Sequence, residues 1–323
     1  MGACCSSSEA IKYDTDEALT LTNSSNFPLL FEDVVNCVCS CGGGELLAGG
    51  EDKTLARYRW EHPPSVPRRW LGHGKGVNRV VFDGASRTAY TASRDMTIRA
   101  WYDPSDTEPL ERGSGQDGGA ALATFEGHEM TVSALALLAG GGQLASGGRD
   151  TMVKLWDTAT AKQLHSNSIQ RNLSTAMVAV AGSEHELLQS SEDLTIRLWD
   201  TRTMKPEVVF KGYSNIGIGL DASPDGCKFI TSHKGFNSVG TELRIWDLRA
   251  AAELAVLRGH EQAVTDVAYT DGGKHAVSCS NDMSVRLWDL SATDPSLVER
   301  CSLPINSKGG LAYIPDPCCG FLQ

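Results

Sequence analysis

The apolar positions of this chain come in short, strand-sized runs, such as 134–138 and 176–181, set between turns rich in Gly and Asp. The clearest unit runs from Gly127 to Asp157. It opens on Gly-His, crosses two apolar runs, turns at Gly-Gly-Arg-Asp and closes on Leu-Trp-Asp. The pattern predicts strands at Thr131–Leu138, Gln143–Ser146 and Met152–Trp156, each bounded by turn residues. Alone, such a unit would make a marginal three-stranded sheet.

The unit recurs. Its closing aromatic returns at Trp101, Trp199, Trp246 and Trp288, and Asp52-Lys53-Thr54 with Tyr58 forms one further copy in which Tyr replaces Trp. From position 58 to 288 the spacings are 43, 55, 43, 47 and 42 residues. A period in that range, marked by Gly-His and Trp-Asp, predicts an all-β fold, a propeller built from four-stranded blades. From about Val34 onward these residues resemble the WD-repeat family.

The resemblance implies a buried hydrogen-bonded tetrad in each complete blade. By position the sets are His73, Thr91, Asp95 and Trp101; His128, Ser146, Asp150 and Trp156; and His260, Ser278, Asp282 and Trp288. A buried carboxylate must be hydrogen-bonded to be tolerated, and such a network supplies the partners. A Ser/Thr-His-Asp trio also has the composition of a hydrolase triad. Three copies, each with a Trp attached, read instead as structural staples. The fourth copy carries Gln189 at the Ser position and no Gly-His, and the fifth has Gly212-Tyr213 and an insert at 233–240. Those two blades are expected to lack full staples and to rely on packing.

Residues 1–17 read as a flexible tail and 18–323 as one seven-bladed propeller, the last blade being incomplete or closed by the N-terminal segment. The candidate closing strand is Ala18–Thr22, and Leu311–Ile314 the last inner strand. The segment 104–120 has little to bury and reads as a disordered excursion between a third and an outer strand. Within the tail, Gly2 and Ser6 fit an N-myristoylation pattern, with Cys4 and Cys5 placed for palmitoylation. A single myristoyl chain binds membranes only marginally, and Lys12 stands alone among acids, so the cysteines are the natural second anchor.

Composition narrows the partners. With 29 basic against 40 acidic residues the chain lacks the basic footprint of a nucleic-acid binder. Ten cysteines without a secretory signal predict reduced thiols. Cys37, Cys39 and Cys41 on a strand share one face, which suits small packed residues better than a zinc site, even with Cys318-Cys319 as a second pair. Gly72–Gly76 leads into a strand, so no helix N-terminus is there to cradle phosphate. No metal, cofactor or small-molecule substrate is expected.

The resemblance also implies that the residue after each turn Asp projects from one face of the disc. Met96, Leu194 and Met283 occupy that position, Phe236 joins them from the insert, and Lys53, Arg94 and Arg149 lie beside them. Met and aromatic residues with Arg nearby are types enriched at interface centres. The reading is a non-enzymatic scaffold that binds other proteins and is tethered by its acyl chains to the cytoplasmic face of a membrane. The order of features is similar to that of a cilium-associated member of the family, which implies a role in cilium or flagellum assembly or trafficking. The alternative is a substrate receptor of a cullin-type ubiquitin ligase, because 190–202, ending Trp199-Asp200-Thr201-Arg202, fits the box such receptors carry.

Overall fold

The computed structural model describes residues 34–42, 44–59, 68–103, 119–212, 215–291 and 295–302. They form six four-stranded antiparallel sheets, each in simple sequence order. The first blade runs from Val35 to Trp70, the second from Val77 to Phe125 and the third from Val132 to Ser168. The fourth runs from Ser174 to Phe210, the fifth from Gly217 to Leu257 and the sixth from Val264 to Ser302. The expected seventh blade, its closing strand at 18–22, its inner strand at 311–314, the tail and residues 104–118 lie outside the described residues.

Burial follows position in the blade. Thr88–Ser93, a second strand, is buried at every residue, whereas Gln163–Ser168, an outer strand, is mostly exposed. A strand covered on both sides reads as a run of small and apolar residues rather than an alternation. Between neighbouring blades lie five apolar clusters, and at each of them the closing Trp of one blade packs against its predecessor. Trp156, for example, joins Tyr90, Ile98 and Phe125 of the second blade. The fifth cluster, between the first and second blades, holds Trp70 and Trp101 with Cys37, and Cys39 and Cys41 lie against it on the same side.

Short polar side chains tie the inner strands together. Asn36 Nδ2 donates to the Val77 carbonyl at 3.0 Å and Asn78 Nδ2 to that of Val132 at 2.9 Å. Ser133 Oγ donates to the Ser174 carbonyl at 2.5 Å, and Thr175 Oγ1 to that of Gly217 at 2.6 Å. The ladder stops at Ile218, which has no donor, while Thr265 turns back to the Cys279 carbonyl of its own blade. Two further clusters each draw on one blade alone: Ala48, Ala56 and Tyr58 in the first, Ala268 and Cys279 in the sixth.

Candidate functional site

Each blade turns from its second to its third strand at one end, and in every described blade but the fifth an Asp of that turn accepts from the backbone N–H two residues on. Asp95, Asp150, Asp193 and Asp282 do so at 3.0–3.2 Å. The same carboxylates anchor the staples. His73 Nδ1 lies 2.8 Å from Asp95 and its Nε2 2.7 Å from Thr91 Oγ1, which also receives Trp101 Nε1–H at 2.8 Å. His128, Asp150, Ser146 and Trp156 repeat this at 2.7, 2.7 and 2.8 Å. His260, Asp282, Ser278 and Trp288 do so at 2.8, 2.7 and 2.9 Å. Thr91, Ser146 and Ser278 are fully buried, and each oxygen is already taken by an indole N–H, so no substrate carbonyl reaches these hydroxyls.

The carboxylates respond to this company. Burial pushes Asp282 up, but hydrogen bonds from Ser284, His260 and the Glu261 N–H outweigh it and bring it down to about 2. Asp95 and Asp150 are likewise held below the usual carboxylate range, because bonds from their histidines overcome the same burial.

The fourth blade departs from the expectation that it lacks a staple. Trp199 Nε1–H donates to Gln189 Oε1 at 2.9 Å, and Gln189 Nε2 donates to Asn172 Oδ1 and Ser174 Oγ, both at 2.7 Å. Arg197 bridges Asn172, at 2.9 Å, to Asp193, at 2.5 Å. An amide pair and a guanidinium thus stand in for imidazole and hydroxyl. The signal was two amides 17 residues apart, against the 18 between His128 and Ser146. In the fifth blade Trp246 donates to Thr231 at 3.3 Å, and Arg244 joins Glu242 and Glu253 at 2.7 and 2.6 Å. That blade too is bonded, though without a carboxylate at the turn.

At the turn end the predicted face residues come to the surface: Met96 is 42% exposed, Leu194 37%, Met283 43% and Phe236 65%. Lys53, Met96, Thr151, Leu194 and Met283 all adopt positive φ, between 60° and 72°. The insert holds Phe236 by pairing with Gln262 and by a bond from Ser238 N–H to the Glu261 carbonyl, so it leans on the sixth blade beside the Met283 turn. Leu71, Met130 and Val239, which sequence patterning passed over, are exposed at the same end. Arg94 and Arg149 are not free cations. Arg94 pairs with Glu51 of the first blade at 2.6 Å, and Arg149 with Glu192 of the fourth at 3.1 Å. They brace neighbouring blades at the mouth of a central cavity of about 600 Å³, which Arg79 and Asp266 also line.

Residues 65–102, 119–157 and 252–289 match the model of the WD domain, G-beta repeat. Those stretches are WD repeats, and the six described sheets are the blades of a β-propeller. The chain is 26% identical over 310 residues to the nuclear distribution protein nudF of Aspergillus flavus, covering 87% of this chain and 64% of that protein. With the nuclear distribution protein PAC1 of Arthroderma benhamiae it shares 27% over 276 residues, covering 76% and 56%. With nudF of Emericella nidulans it shares 25% over 313 residues, covering 88% and 66%. The propeller therefore spans less than two-thirds of the length of these relatives. Among its described residues no group of three or more His, Cys, Asp or Glu could hold a metal ion. The lipidation candidates Gly2, Cys4 and Cys5 lie outside the described residues.

Proposed function

We propose that this chain is a non-enzymatic scaffold that binds other proteins through its turn face. Acyl chains on Gly2 and on Cys4 or Cys5 hold it to the cytoplasmic face of a membrane, where it serves cilium or flagellum assembly or trafficking. The observation that carries the reading is the turn face itself. Met96, Leu194 and Met283 are exposed there at positive φ, a conformation that side chains adopt only at a cost, and Phe236 stands beside them. Apolar groups clustered on one rim mark an interaction site. The anchor rests on the N-terminal pattern and its paired cysteines, and the cilium on the resemblance in the order of features. The nudF and PAC1 relatives supply another setting, nuclear distribution, for the same scaffold.

The test is a pull-down with Phe236→Ala combined with Met283→Lys. Loss of the partners from a variant that melts like the wild type supports the face, and full retention removes it. A receptor for a cullin-type ligase is the second reading, favoured because the Arg202 guanidinium is largely exposed and held in place on Asp200 at 3.0 Å. Under that reading Arg202→Glu loses a co-purified ligase adaptor.

A further inference from the structure

Away from the turn face, a crevice of about 310 Å³ opens between the third and fourth blades. Its apolar sides are Leu155 and Leu164. His165, His185 and Arg202 form its polar rim, and Thr201 lines it. Leu164 is the extra residue of a bulge, because Leu155 pairs with His165 while Trp156 pairs with Gln163. A bulge re-aims side chains beside it.

Thr201 sets this crevice apart. In five blades the residue two positions after the repeat's closing aromatic donates its N–H to the carbonyl of the preceding hairpin. These residues are Asp103, Thr158, Thr201, Leu248 and Leu290. Asp103 is ion-paired with Arg57 and Arg87. Thr158 Oγ1 donates to the Gly141 carbonyl at 2.8 Å, and two of the five are leucines with nothing to satisfy. Thr201 is 2% exposed, and its hydroxyl has no hydrogen-bond partner. Buried polar groups are almost always bonded, so an orphan hydroxyl lining a cavity points to a missing partner group.

We propose that this crevice is a socket for a tyrosine side chain of a protein partner, with the phenol pairing to Thr201 Oγ1. The charges favour a neutral guest: the guanidinium of Arg202 is already matched by Asp200 at 3.0 Å, and no carboxylate lines the crevice. The leucine sides accept a ring, and the orphan hydroxyl accepts or donates to its polar tip, the combination that tyrosine carries. The volume lies at the small end of ligand pockets, roughly 300–1,000 Å³, which suits a single inserted side chain.

The inference rests on the scaffold reading, but its test does not pass through the turn face. The full chain is titrated with N-acetyl-tyrosinamide, and with N-acetyl-phenylalaninamide as control, while the imidazole resonances of His165 and His185 are followed by NMR. The tyrosine derivative should shift both and bind about fivefold more tightly than the control, the worth of one neutral hydrogen bond. Thr201→Val should remove that difference and leave the melting temperature equal or higher. Equal binding of both probes, no shift of either imidazole, or a lower melting temperature for Thr201→Val would overturn the socket while leaving the Phe236/Met283 pull-down to judge the scaffold.

Discussion

Asp282 ties a turn, a histidine and the backbone of a blade entrance together, and its carboxylate titrates accordingly. Its folded value, about 2, is below the unfolded value of about 3.9. The stability it contributes is therefore fully present above about pH 4 and is lost as pH falls through about 2. Acid titration of thermal melts should show Asp282→Asn losing less than the wild type across that window, and parallel curves would contradict this. Asp150→Ala should cost about 1–3 kcal/mol, by leaving His128 short of a partner. Asp193 would be the cheaper site if its blade had no staple. Because it faces Arg197, whose side chain is nearly buried, Asp193→Ala strands a guanidinium and should cost at least as much as the change at Asp150. Melts of the two variants side by side decide between those accounts.

At the scale of the blade, the turn after the second strand does two things at once. Its Asp closes the turn, and the next residue is driven into the left-handed region with its side chain outward. Glycine would sit there without strain, so Met96, Leu194 and Met283 hold that conformation at a cost in local stability. Leu194→Gly and Met283→Gly should raise stability by up to about 1 kcal/mol and still weaken partner capture. A fall in both, measured by denaturant unfolding and pull-down, would mean that the side chains serve packing. These elements were legible from the repeat because Gly-His, the turn Asp and Trp keep fixed offsets. What stayed hidden depends on neighbours. The Asn172–Gln189–Arg197 network uses residue types outside the family pattern, and the ion pairs of Arg94 and Arg149 cross between blades. The orphan hydroxyl of Thr201 is defined only by comparison with Thr158 and Leu248 in three dimensions.

At the scale of the whole molecule, the proposed scaffold and the proposed tether can be tested apart. The apolar clusters around Tyr58 and around Cys279 lie on the first and last described blades, and the ladder of inner-strand bonds begins at Asn36 of the first and ends at the fifth. The turn face is built from described residues of several blades. Gly2→Ala should move the protein from membrane to soluble fractions, more completely than mutation of Cys4 and Cys5 together, because palmitate is added once myristate has brought the chain to a membrane. Retention of the Gly2→Ala protein in the membrane pellet would count against lipid anchoring. The most direct measurement is proximity labelling in cells with a C-terminal tag, crossing Gly2→Ala with the Phe236→Ala/Met283→Lys pair. The face variant is predicted to keep its membrane fraction and lose its main labelled partner, while Gly2→Ala loses the membrane and keeps face binding in a pull-down. An unchanged set of labelled partners for the face variant would contradict the account.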